Sequence, residues 1–211
     1  MVVGTIPKAL STTTTAVLVP VKAFAQAKQR LSEVLDPAAR RALAEAMAAT
    51  VLAAAGPLRT AVVCDDEEVR AWADALGAEP IWTPGLGLNG AVAAGVAHLA
   101  RRGIERVIVA HADLPLASEL AWLADGTGVT LVPDRHGDGT NVACVPVDAG
   151  FTFAYGAASF AAHRIEATRL GLRVRLVPDR RLGWDVDVPA DLVLPPELRP
   201  PAYLSLRVPC P

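Results

Sequence analysis

The stretch "RVIVAHADLPLAS" (residues 106–118) begins as a buried strand and ends as something else. Val107, Ile108 and Val109 suit a strand covered on both faces of a sheet. His111 and Asp113, standing where the apolar run stops, do not suit a core. An acid at the carboxyl end of an oily strand points to an open α/β sheet, whose ligands bind in the crevice outside the carboxyl ends of its strands.

Strand-length runs alternate with helix-period stretches on either side of this segment. "TAVLVPVK" (15–22), "TAVVC" (60–64) and "EPIW" (79–82) read as strands. The stretch 36–56 reads as a helix, with Asp36 as N-cap, Pro37 in the first turn and Gly56 at the stop. Further helices are expected over 67–77 and 89–103. Beyond Pro115 come a short helix near 117–124, strands over 129–133 and 142–147, the loop "DRHGDGTN" (134–141), a helix from Ser159 to Leu170 and a strand over 173–177. "WDVDVPADL" (184–192) closes the pattern. Strand–helix–strand alternation implies right-handed crossovers and a largely parallel sheet with helices on both faces. The closer-spaced strands of the second half imply an antiparallel addition. The fold class is therefore a single α/β domain over residues 16–194, between a flexible leader (1–15) and a proline-rich tail (195–211).

Bulk composition excludes several functions. The 211 residues are 52% apolar and 20% charged, as expected of one folded domain with a real core. The net charge of −2 offers no field for nucleic acid or an anionic membrane, so an anionic ligand must be met by a local basic cluster. No apolar run reaches membrane-spanning length, and the leader lacks a continuous apolar segment and a small-residue cleavage site. Cys64, Cys144 and Cys210 are far apart, without a C-x-x-C pair, which suits a reduced cytoplasmic protein without disulfides or structural zinc.

Five groups of residues carry the chemistry. Lys22 follows the first strand directly, and Lys28 and Arg30 stand in the loop behind it, where a triphosphate would need a point charge and a bidentate fork. "GLGLNG" (85–90) matches the G-x-G-x-x-G pattern, with Asp113 about twenty residues on, near dinucleotide-fold spacing. It belongs to the third strand unit, however, and Pro84 interrupts the turn. Backbone N–H groups at Gly87 and Gly90, together with Asn89, suit a base edge or a phosphate at a helix start. Asp185 and Asp187 alternate on a strand-like stretch and so project to one side. With Asp113 they form an oxygen-rich set fit for Mg²⁺. Thr140, in "HGDGTN" (136–141), supplies a hydroxyl that a turn does not need. Gly156 and Ser159, in "FAYGAASFAAH" (153–163), stand at a helix start where Ser159 could cap the helix or meet an anion. His163 reads as structural. His98, His111 and His136 show no metal-ligand spacing, and no Ser/His/Asp nucleophile motif is present.

In order, "VPVK…AK.RL", "ADLPL", "DGTN", "YG..SF..H" and "DVD.PADL" resemble the 2-phospho-L-lactate / phosphoenolpyruvate guanylyltransferases of deazaflavin coenzyme F-420 biosynthesis. The resemblance runs from Ala16 to Leu194. It implies a nucleotidyltransferase, glycosyltransferase-A-like fold, GTP as donor and Mg²⁺ as cofactor. Carried over by position, Asp113, Asp185 and Asp187 are the metal ligands and Thr140, Gly156 and Ser159 the acceptor site. Lys22, Lys28 and Arg30 would take the triphosphate charge, with Lys22 counted among the catalytic groups. Gly87, Asn89 and Gly90 would meet the base. Three positions depart from the pattern: Tyr155 for a phenylalanine, Val188 for a threonine and Gln29 for a serine. The expected reaction moves GMP from GTP to phosphoenolpyruvate and releases pyrophosphate. For a chain whose Ala-, Arg- and Pro-rich composition is of the high-GC bacterial kind, the resemblance implies that acceptor. Alternatives are 2-phospho-L-lactate or phosphoglycerate as acceptor, a sibling enzyme acting on a sugar phosphate or molybdopterin, a nicotinamide-dependent oxidoreductase, and a catalytically silent nucleotide-binding protein. Oligomeric state is not legible.

Overall fold

The computed structural model describes residues 14–199 and 201–205. Seven strands form one sheet: β1 (Thr15–Pro20), β2 (Arg59–Cys64), β3 (Glu79–Trp82), β4 (Arg106–Ala110), β5 (Val129–Pro133), β6 (Thr140–Pro146) and β7 (Val174–Leu176). Their order is β3-β2-β1-β4-β6-β5-β7. The pairs β1–β2, β1–β4, β2–β3 and β5–β7 are parallel, whereas β6 runs antiparallel to both β4 and β5. Six strands thus point one way, and the expected antiparallel addition is a single strand.

Period-two alternation explains why continuous apolar strands are stable here. Val17 and Val19 of β1 join Ile108 and Ala110 of β4 on one face, against Ala48 and Val51 of helix α1 (Pro37–Ala53) and Val69 and Ala73 of α2 (Glu67–Ala75). Ala16 and Leu18 turn the other way with Val107 and Val109. They meet Val92, Val96 and Leu99 of α3 (Gly87–Arg101) and Ala167 of α4 (Ser159–Arg169). Helices cover both faces, as the sequence predicts.

Helix α1 begins as expected: the Asp36 carboxylate accepts the Ala39 N–H at 2.8 Å, and Pro37 occupies the first turn. Three expectations change. The helix near 117–124 is only a 3-10 turn, Ala121–Ala124. The run 184–188 is irregular rather than a strand. Ser159 is not the cap of α4; that position is Ala158, held at φ 55°. Of the expected leader, residues 1–13 lie outside the described residues, and Thr15 already belongs to β1. The described part of the tail is packed, because the Tyr203 hydroxyl donates to the Pro115 carbonyl and lies 2.9 Å from Thr50 Oγ1 of α1. Among the described residues no helix is long and apolar enough to cross a membrane.

Candidate active site

The carboxyl ends of β1, β2, β3 and β4 surround a cavity of about 820 Å³. β6, running antiparallel, starts where β4 stops: Val142 pairs with Ala110, and the His111 N–H donates to the Asn141 carbonyl. This reversal brings Thr140 and Asn141 to the same edge as Asp113. Lys22, Lys28, Arg30, Gly87, Thr140, Gly156, Ser159 and all three aspartates line the cavity.

The acidic residues are held by the chain around them. The Val186 N–H donates to the Asp113 carbonyl at 3.2 Å and ties the 184–188 loop to the end of β4. Asp191, almost fully buried, accepts the N–H groups of Asp187 and Val188 on one oxygen and the Arg135 guanidinium on the other. Arg135 also donates to the Asp185 carbonyl at 2.9 Å and lies over the Trp184 ring. The Asn141 amide reaches Leu182 O and, at 3.4 Å, Asp185 Oδ1. Sequence reading did not single out Arg135, Asn141 or this role of Asp191. Only the reading of Asp191 as a cap acid beside Pro189 pointed to the last, and its side chain does accept the Val188 N–H.

Charge is unevenly balanced at this edge. Lys28 adopts φ 53° between two 3-10 turns and places its ammonium 2.7 Å from Asp113 Oδ2 and 3.1 Å from Asp187 Oδ1. Arg30 reaches Asp187 at 3.8 Å and is largely exposed. Burial alone would lower the Lys28 pKa, but the two carboxylates more than offset it and hold it raised. Burial likewise pushes Asp113 up, and Lys28 and His111 overcome that and leave it lowered. Asp185 has the Arg135 guanidinium only at 3.6 Å and the Asn141 amide at 3.4 Å, so burial and then the Asp113 charge raise its pKa against the hydrogen bonds from backbone and Asn141, with Asp187 adding a smaller push.

These residues fit a hard divalent cation by donor chemistry. Asp113 Oδ1 is buried without a hydrogen-bond partner among the described residues, and Asp185 is an ill-compensated carboxyl beside it. As they stand, no three acidic, His or Cys side chains among the described residues converge in ligating geometry. The Lys28 ammonium already bridges two of the carboxylates.

Thr140 and Ser159, which line the same cavity, are buried, and the Thr140 N–H donates to Ser159 Oγ at 3.0 Å. The Asp134 carboxylate organises the loop before them by accepting the N–H groups of His136, Asp138 and Gly139. Gly156 takes φ 134°, a conformation that disfavours a side chain.

The glycine-rich run behaves differently from expectation. Gly87 lines the cavity, but Asn89 and Gly90 do not. The Asn89 amide accepts the Tyr155 N–H at 2.7 Å and donates to the Tyr155 carbonyl at 3.2 Å. Each polar end holds a backbone group, so Asn89 clamps α3 to the 153–156 segment. The run also follows β3, not β1, and so does not form the phosphate turn of a dinucleotide fold.

Sheet order, crevice and acidic edge define the fold of nucleotide-activating transferases. A protein from Desulfovibrio desulfuricans assigned to the nucleotide-diphospho-sugar transferases superposes with a TM-score of 0.67 at 19% identity, over 84% of each chain. CMP:2-keto-3-deoxy-manno-octonic acid synthetase, solved with CTP, gives 0.56 at 14% identity, over 84% of this chain and 95% of that one. The chain belongs to the family described as "Guanylyl transferase CofC like", which matches residues 15–194. It is 37% identical over 188 residues to a phosphoenolpyruvate guanylyltransferase of Sphaerobacter thermophilus, covering 85% of this chain and 91% of the relative. It is 39% identical over 175 residues to a 2-phospho-L-lactate guanylyltransferase of Halorubrum lacusprofundi, covering 78% and 76%.

Proposed function

We propose that the protein transfers GMP from GTP to the phosphate of phosphoenolpyruvate, giving enolpyruvoyl-2-diphospho-5'-guanosine and pyrophosphate. One observation carries the reading: three carboxylates, one with an orphaned buried oxygen, two buried hydroxyls and three basic side chains line one cavity at the carboxyl ends of the strands. Relatives named for this acceptor support it.

In this reading an acceptor phosphate oxygen attacks the α-phosphorus of GTP in line, and the bond to pyrophosphate breaks. No protein nucleophile is needed, since positioning and charge neutralisation supply most of the catalysis. Lys22, Lys28 and Arg30 take charge on the triphosphate and the leaving group. Thr140, Ser159 and the Gly156 backbone hold the acceptor. Asp113, Asp185 and Asp187 would hold Mg²⁺, which would screen the repulsion between the two reacting anions. Lys28 must then leave Asp113 and turn towards phosphate. Free, buried Cys64 and Cys144 suit a reduced, cytoplasmic setting.

The test is pyrophosphate release with GTP and Mg²⁺ and, side by side at equal concentration, phosphoenolpyruvate, 2-phospho-L-lactate and phosphoglycerate. Phosphoenolpyruvate should react fastest, and GTP should be strongly preferred over ATP. A clear preference for another acceptor overturns the acceptor, and no release with any of them overturns the guanylyl transfer.

A further inference from the structure

His163 is fully buried on α4, its ring 4.8 Å from that of Tyr155 and close to Phe151 and Phe153. Both ring nitrogens are engaged. The Ala154 N–H donates to Nε2 at 3.0 Å, and Nδ1 lies 2.9 Å from Thr140 Oγ1. A backbone amide can only donate, so Nε2 presents its lone pair and the proton of the neutral ring sits on Nδ1. Nδ1–H therefore donates to the Thr140 hydroxyl oxygen. Burial, then the nearby His111, lowers the His163 pKa to about 4 against a weaker pull from Glu166, so the ring stays neutral in ordinary buffers.

That bond decides where the Thr140 hydroxyl proton can go. Having accepted from His163, Oγ1 has its own hydrogen to place, and no acceptor among the described residues takes it. Ser159 is set in the same way: its Oγ accepts the Thr140 backbone N–H, which leaves its own hydrogen free. Thr140 is 1% exposed and Ser159 2%, yet both border the cavity. Two buried hydroxyls, each with a hydrogen that no neighbour takes and both on residues lining one cavity, suit oxyanion oxygens.

We propose that His163 is a positioning residue, whose Nδ1–H locks Thr140 as a hydroxyl donor, alongside Ser159, toward the carboxylate or phosphate oxygens of the small anionic acceptor. The identity of that acceptor rests on the guanylyltransferase reading; the hydrogen-bond pattern does not.

His163→Phe should raise the KM for phosphoenolpyruvate roughly 10- to 100-fold, the scale of a lost charge-assisted hydrogen bond, with GTP binding measured directly within about twofold of wild type. His163→Asn, whose amide can replace Nδ1–H, should recover most of the loss. The double variant His163→Phe/Thr140→Val should match Thr140→Val alone, because both remove one donor. Independent, multiplying losses would mean that His163 only supports the fold, and equal losses towards both substrates would mean the same. Long-range ¹H–¹⁵N spectra supply a readout free of turnover. They should show His163 as the Nδ1–H tautomer from about pH 8 to about pH 5. Phosphoenolpyruvate titrated with a non-hydrolysable GTP analogue should shift the Thr140 and His163 signals. An Nε2–H tautomer, or signals that move with none of phosphoenolpyruvate, 2-phospho-L-lactate and phosphoglycerate, overturns the proposal. If wild-type protein releases no pyrophosphate, the guanylyltransferase reading fails while the spectra still decide this one.

Discussion

Asp185 is a carboxyl that the fold would rather keep neutral, since burial and two neighbouring acids raise its pKa. A raised acid pKa means that ionisation costs the folded state stability once pH exceeds it, a cost absent when the group is protonated. Asp185→Asn removes that cost at neutral pH, so the Tm should stay level or rise while pyrophosphate release falls about 100-fold or more. A Tm loss of many degrees would show that the carboxylate serves the fold instead. His163 gives the opposite dependence. Its pKa drops from 6.5 to about 4, with His111 and Glu166 the titratable groups facing it. The unfolded chain therefore takes up its proton first, and the stabilisation present above the unfolded value is lost as pH falls towards the folded one. Urea unfolding at about pH 7 and about pH 5 should show wild type losing roughly 2 kcal/mol more than His163→Asn. Identical slopes would contradict this.

Helix α3 approaches the sheet more closely than any other feature of its sequence announces, and Gly95 is the reason. A Cβ there would lie 2.7 Å from Val63 Cγ1 and 2.8 Å from Leu18 Cδ2, both buried strand side chains. Gly95→Ala should lower stability by about 1–2 kcal/mol, the overpacking strain exceeding alanine's helix propensity gain, read as a lower urea midpoint. At the first turn of the same helix, Asn89 holds the Tyr155 backbone at both its N–H and its carbonyl. Asn89→Ala releases the segment that carries Gly156 and Ser159. The KM for the acceptor should rise about tenfold, with the ratio of GTP to ATP turnover unchanged. A narrowed nucleotide ratio would return Asn89 to the base site. Elements were legible where period and punctuation agreed, as in α1 between Asp36 and Gly56 and in the apolar strands. They were misread where polar side chains, not periodicity, hold the chain. The 184–188 run alternates like a strand but pairs with no strand among the described residues, and Asp191 and Arg135 fix it instead.

Across the whole molecule, a net charge of −2 conceals an acidic edge and a basic loop that neutralise each other through Lys28. The amino-acid sequence by itself determined that strands buried on both faces would form a mostly parallel sheet. It also determined that the carboxylates Asp113, Asp185 and Asp187 would stand where the apolar pattern breaks, because apolar periodicity is a local property of the chain. Only the tertiary structure decided which groups meet. The reversal of β6 sets Thr140 and Asn141 against the end of β4, at the cavity that Asp113 also lines. The packing of α4 then places His163 behind Thr140. The amide of Asn89 is taken by a backbone 66 residues away, which no spacing rule reports. Hydrogen bonds are short-ranged and directional, so their partners follow from where strand order and helix packing bring the chain, not from distance along it.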